Sequence, residues 1–308
     1  MNFKKKSLAI STTIILGTSI VILSGCSSKN NTVANKDVIT MKGDSIKVSD
    51  LYKEIQTFPN QSSTELVQNM TFNKILSKDF AKEVDDKALT KQVNAMKSQY
   101  GDQFSSALQQ YGLTNENIKE YLRTGMLEQA AIDNDIQKTQ YTDANLKKAW
   151  ESYHPDVTAY VVSETSKDAA AKALEAANKD DAGKVSFEKS NAESKVTFNS
   201  TSTTVPKEVQ NAAFKLKNDE FSDVIESTDA STGATSYYIV KMVKTSEKGS
   251  DMSKYKKDLQ EEIKAEKNQD SSYKIKVLAN YLKNNNVEIK NKAFSSSFSQ
   301  YYTSSSKS

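Results

Sequence analysis

Cysteine and histidine each occur once in the 308 residues, proline three times and glycine nine times. A single cysteine leaves no intramolecular disulfide, and one residue of each type builds neither a Cys/His zinc site nor a catalytic pair that needs a second imidazole. Any histidine chemistry would rest on His154 alone. Glycine and proline are too scarce for a collagen-like or proline-rich chain. Long apolar runs are scarce too: one lies near residues 10–24, which excludes a multi-pass membrane protein. Charge of one sign is also lacking. The net +3 comes from Lys4, Lys5 and Lys6, because the first 25 residues carry no acid; beyond them stand 39 basic against 39 acidic residues. Nucleic-acid binders show a basic excess, so no nucleic-acid partner is expected, and no metal or other cofactor is called for.

What is present begins with a basic n-region, Lys4 to Lys6, and an apolar h-region, Leu8 to Leu23. Leu23-Ser24-Gly25-Cys26 follows and resembles the lipobox of bacterial lipoproteins. The resemblance implies a signal peptide over 1–25, a lipid on Cys26 and a cell-membrane anchor facing away from the cytoplasm. Two or more acyl chains suffice for stable anchoring. Residues 26–36 are polar and aperiodic, and read as a flexible tether.

Val38 to Ile46 predicts a strand, a glycine turn and a second strand. Three-four spacing then predicts helices carrying Leu66, Met70, Leu76 and Phe80; Leu89, Val93, Met96 and Tyr100; and Phe104, Leu108 and Tyr111. Gly112 should end the last of these and Thr114 cap the next, whose stripe is Ile118, Tyr121, Leu122, Ile132 and Ile136. Thr142-Asp143 begins another, with Leu146, Ala149 and Trp150. At His154-Pro155 the pattern changes, since proline disfavours helix in the residue before it. Strands are expected over 157–163, 195–198 and 237–243, and helices over 167–177 and 206–215, with Pro206 in the first turn. Helix returns from Asp251. The Ser-rich stretch 293–308 reads as a disordered tail.

Ala212-Ala213-Phe214-Lys215-Leu216-Lys217, Glu220, Ser222-Asp223 and Tyr237-Tyr238-Ile239-Val240-Lys241 resemble the C-terminal half of a parvulin-type prolyl isomerase, and Pro155 to Ala159 resembles the entry to its first strand. Together with the lipobox and the flanking helices, the chain is similar to the PrsA-type foldase lipoproteins. The resemblance implies an α+β chain: a helical chaperone region over 37–153, an inserted parvulin-like domain over 154–246, and a C-terminal helical segment, 247–292, packing with the N-terminal region. It implies unfolded secreted polypeptides as partners and the membrane as anchor, and it leaves a homodimer open.

The parvulin histidine positions fall on Tyr160 or Val161 in the first strand, depending on register, and on Tyr238 in the last. The proline-pocket positions correspond to Val205, Val209 and Phe214. The family's glycine-rich loop is replaced by residues 194–204, Ser-Lys-Val-Thr-Phe-Asn-Ser-Thr-Ser-Thr-Thr. With both histidines replaced, isomerase turnover is expected to be weak or absent. A chaperone that holds chain is the expected activity; the alternative is an active prolyl isomerase working on secreted proteins.

Overall fold

The structure, a computed structural model, describes residues 33–229 and 233–302. The signal segment, Cys26 and most of the tether lie outside the described residues, as do the last six residues.

Asp37–Met41 (β1) and Asp44–Lys47 (β2) form an antiparallel pair, turned by Gly43 at φ +75°. Five helices follow: Val48–Thr57 (α1), Ser63–Phe80 (α2), Asp86–Tyr100 (α3), Phe104–Gln110 (α4) and Ile118–Thr139 (α5). Their starts are set by side chains that accept otherwise orphaned backbone donors. The Ser62 hydroxyl accepts from Glu65 N–H and the Asp85 carboxylate from Ala88 N–H. Thr114 does not cap α5 directly. Its hydroxyl accepts from Glu116 and Asn117 N–H, while Asn117 Oδ1 accepts from Thr114 N–H at 2.8 Å. This reciprocal pair closes a turn ahead of the helix and leaves Asn117 as the cap residue.

The chain continues through Asp143–Ser152 (α6), Val157–Glu164 (β3), Lys167–Asn178 (α7), Asp181–Ser190 (α8), Lys195–Phe198 (β4), Lys207–Ala213 (α9), Ile225–Thr228 (β5), Thr235–Lys244 (β6) and Lys256–Gln269 (α10). It ends with Ser271–Asn284 (α11), Glu288–Ile289 (β7) and Ser299–Tyr302 (α12). Pro206 sits just before α9 rather than in its first turn, and α9 stops at Ala213.

Two compact units result, one of them Tyr141–Ala265 and the other made of the chain before and after it. In the discontinuous unit a small sheet has the order β2-β1-β7. Its core joins Leu66, Phe72 and Leu76 of α2 to Leu127 and Ala131 of α5 and Leu282 of α11. The expected disordered tail is corrected here through Tyr302. Phe294, Phe298 and Tyr301 are buried, and the Phe72 ring meets Phe298 and Tyr301 edge-on at 6.1 and 5.2 Å. Three aromatics taken out of water outweigh the serine content around them.

The continuous unit is wider than the expected 154–246 on both sides. Leu146, Ala149 and Tyr153 pack with Leu259 and Ile263, and Trp150, Tyr153 and Tyr255 form an aromatic trio. Tyr153, 1% exposed, donates its phenol to Asp258 at 2.5 Å. The first part of the expected 247–292 segment therefore packs with α6, within this unit. The sheet is antiparallel throughout, in the order β4-β3-β6-β5.

Candidate functional site

Alternation along β3 and β6 gives this sheet two different faces, because successive side chains point to opposite sides. On one face Ala159 and Val161 of β3, Tyr238, Val240 and Met242 of β6, and Ile225 of β5 gather with Val205, Val209, Ala213 and Phe214 from α9 and its flanks. On the other, Tyr160 and Val162 join Ile239 and the α7–α8 residues Ala170, Ala177 and Phe187. Val161 thus shares a face with Tyr238, Val205, Val209 and Phe214, and Tyr160 does not. Tyr160 is buried on the α7–α8 side, with Lys195 Nζ 5.6 Å from its ring centroid.

The α9 face is largely apolar and partly open. Val205 and Val209 are buried, while Val161, Phe214 and Tyr238 are half-buried. Phe214 lies against Phe198 at 5.8 Å. On its other contact the His154 imidazole is stacked, 4.4 Å between centroids and 6° between planes. Partial burial of the ring, and then the charges of Lys248 and Lys207, hold the His154 pKa below the usual imidazole value. Polar groups here are mostly committed. The Ser222 hydroxyl accepts from Val240 N–H at 2.9 Å, and Ser227 donates to Glu208 at 3.1 Å. The Tyr238 phenol makes no hydrogen bond to another described residue, so it is the side-chain donor left available beside Val161 on this face.

Residues 142–253 match the family model described as a PPIC-type PPIASE domain. Over its full 308 residues the chain is 68% identical to the foldase protein PrsA of Lactococcus lactis subsp. lactis, covering 99% of that relative. The PrsA chain belongs to a wider set: PrsA of Streptococcus mutans is 38% identical, with 98% of this chain and 89% of that one covered. This chain belongs to the PrsA foldase family. The crystal structure of PrsA from Lactococcus lactis superposes with a TM-score of 0.76 at 72% identity, over 87% of this chain and 99% of that chain. PrsA from Streptococcus pneumoniae gives 0.68 at 34% identity, over 86% and 100%.

The glycine-poor loop before α9 takes its shape from side-chain hydrogen bonds. Asn199 Oδ1 accepts from Thr201 N–H and Oγ1, at 3.0 and 2.7 Å, and Ser202 Oγ accepts from Asn199 N–H. Gln210, 2% exposed, donates Nε2 to the Ser202 and Val205 carbonyls at 2.6 and 2.8 Å. Val205 is thus fixed on the α9 face by a buried amide. Sequence reasoning missed this role of Gln210 and the stacking of His154 on Phe214. His154 is mostly exposed, but its ring leans on Phe214, and Tyr153 and Pro155 on either side of it are buried.

On the opposite face Lys241 is 1% exposed, paired with Glu188 and, at 3.1 Å, with Asp219. Burial alone would push its ammonium down, and the bonds to the two carboxylates outweigh that, so its pKa is raised. This cluster holds α8 and the turn before β5 to the sheet and stands apart from the α9 face. No group of three or more His, Cys, Asp or Glu suited to a metal ion occurs among the described residues.

Proposed function

We propose that the chain is a lipid-anchored foldase acting outside the cytoplasm, which holds unfolded secreted polypeptides and turns over prolyl bonds weakly or not at all. Membership of the PrsA family supports the foldase part. The lipobox ending at Cys26 supports the anchor, and no described helix is long and apolar enough to cross a membrane.

One observation carries the reading. Val161, Tyr238, Val205, Val209 and Phe214 share a face that keeps an apolar grip but offers one phenol where parvulins carry paired imidazoles. Rotation about a peptide bond faces a barrier of about 18–20 kcal/mol from amide resonance. A catalyst must bind the twisted amide better than either planar form. An apolar seat binds both planar forms equally well, which holds a chain without accelerating rotation. A phenol supplies one donor and different geometry from an imidazole pair.

The test is aggregation of an unfolded secreted protein with the full-length chain at stoichiometric amounts. Suppression is expected, and unchanged aggregation contradicts the reading. The alternative, an active prolyl isomerase, is favoured by the PPIC-type family match and by the Tyr238 phenol. It requires acceleration of cis–trans exchange that is lost in Tyr238→Phe.

A further inference from the structure

The discontinuous unit holds a cavity of about 180 Å³ that the parvulin-like face does not explain. It lies among α1, α2 and α5. Its apolar lining comes from Phe58, Met70 and Tyr121. Asn69 and Asn73 of α2 and Gln61 from the loop before that helix also line it, Asn73 Oδ1 accepting from the Ser77 hydroxyl at 3.3 Å. Side-chain amides both donate and accept, so they match the alternating N–H and C=O groups of an extended backbone. Two carboxylates also line it, the half-buried Glu54 of α1 and the exposed Glu120 of α5.

These carboxylates lack a cation. Among the described residues neither Glu54 nor Glu120 forms an ion pair, and the lysine lining the cavity, Lys74, is paired with Asp44 at 2.8 Å. Burial, and after it the charge of Glu120, raises the Glu54 pKa. A cation entering between them would relieve like-charge repulsion and strengthen in a partly desolvated site. The rim is also held in place: Asn117 Nδ2 at the start of α5 donates to the Thr57 carbonyl at the end of α1 at 3.1 Å.

We propose that this cavity binds an extended polypeptide segment and receives a lysine or arginine side chain between Glu54 and Glu120. The stem of that side chain packs on Phe58, Met70 and Tyr121 while its head meets the carboxylates, the usual division of a long basic side chain between apolar and polar surroundings. The inference rests on the foldase reading and deepens it by naming a class of client segment.

The experiment measures anisotropy of short fluorescent peptides of leucine and serine with lysine, norleucine or glutamate at the centre, titrated with the full-length chain in mild detergent. The lysine peptide should bind about tenfold more tightly than the glutamate peptide, the scale of a charge-assisted contact in a partly buried site. The double variant Glu54→Gln/Glu120→Gln, similar in shape, should remove that preference, whereas Glu175→Gln on the exposed side of α7 should keep it. Equal affinity for the three peptides in the wild-type chain overturns the inference, with or without a folded double variant. If the peptides bind equally and aggregation is still suppressed, the foldase reading stands without this site. If no peptide binds and aggregation is unaffected, both fall.

Discussion

The imidazole of His154 lies parallel to the ring of Phe214, 4.4 Å between centroids, so the chain's single histidine covers part of its candidate proline pocket. Its pKa is held low by burial first, and then by Lys248 and Lys207. One histidine gives one set of imidazole resonances, so its titration is read without assignment. The midpoint should fall below the ordinary value of 6.5, and Phe214→Ala should move it upward by exposing the ring. A lowered folded-state pKa means the unfolded chain binds the proton more readily. The associated stability is therefore present above the ordinary value and lost as pH falls through the lowered one. A midpoint that Phe214→Ala leaves unmoved would show that the stack does not shield the imidazole. His154→Ala should cost about 0.5–1 kcal/mol in denaturant unfolding, the range of an aromatic pair at a partly exposed site.

Glu128 on α5 gives the opposite sign. Burial pushes its carboxyl up to about 7. The raised value means stability is greatest below the ordinary carboxylate range and is lost as pH rises through about 7. Glu128→Gln should therefore raise the melting temperature at pH 8 by an amount equivalent to about 1–3 kcal/mol and change it little at pH 4. A variant equally displaced at both pH values would contradict the assignment.

Lys241 is predicted to be more costly to orphan than to replace. Glu188→Ala removes the less exposed of the two carboxylates with which a fully buried ammonium pairs, and should destabilise by about 2–3 kcal/mol. Lys241→Met removes the charge and leaves an apolar side chain of similar length, and should cost less. Asp219→Ala should fall below about 1 kcal/mol, because that carboxylate is mostly exposed. Denaturant midpoints of the three variants check the order.

Gly112 stands at φ +66°, and a Cβ there would lie 2.3 Å from Asn60 Nδ2. The Asn60 amide can swing aside, but Asn60 Cβ at 2.8 Å is fixed to its backbone, so the clash adds to the left-handed backbone cost of about 1–2 kcal/mol for alanine. Thermal unfolding of Gly112→Ala measures it; a neutral result would mean the turn relaxes to negative φ.

Much of this was legible in the chain itself, and the exceptions share a physical cause. Helical stripes such as Leu89–Val93 and the cap at Thr142 are local signals and reappear in α3 and α6. Which of Tyr160 and Val161 shares a face with Tyr238 was not legible, because a shift of one residue sends every side chain of a strand to the other face. Only the pairing of β3 with β6, Val161 opposite Val240, decides it. The strands β5 and β7 are four and two residues long and exist through distant partners, so no local pattern announces them. The tail was misread on composition. Phe294, Phe298 and Tyr301 follow helical spacing among the serines, and that spacing proved the better guide to their burial.

The most direct measurement of the central claim is the exchange rate between cis and trans forms of a proline peptide, followed by NMR with the full-length chain present. Uncatalysed exchange takes tens to hundreds of seconds. The account predicts a rate within about twofold of that value while the same preparation suppresses aggregation, since the α9 face grips chain without paired imidazoles. Exchange accelerated by orders of magnitude, and abolished in Tyr238→Phe, would contradict it.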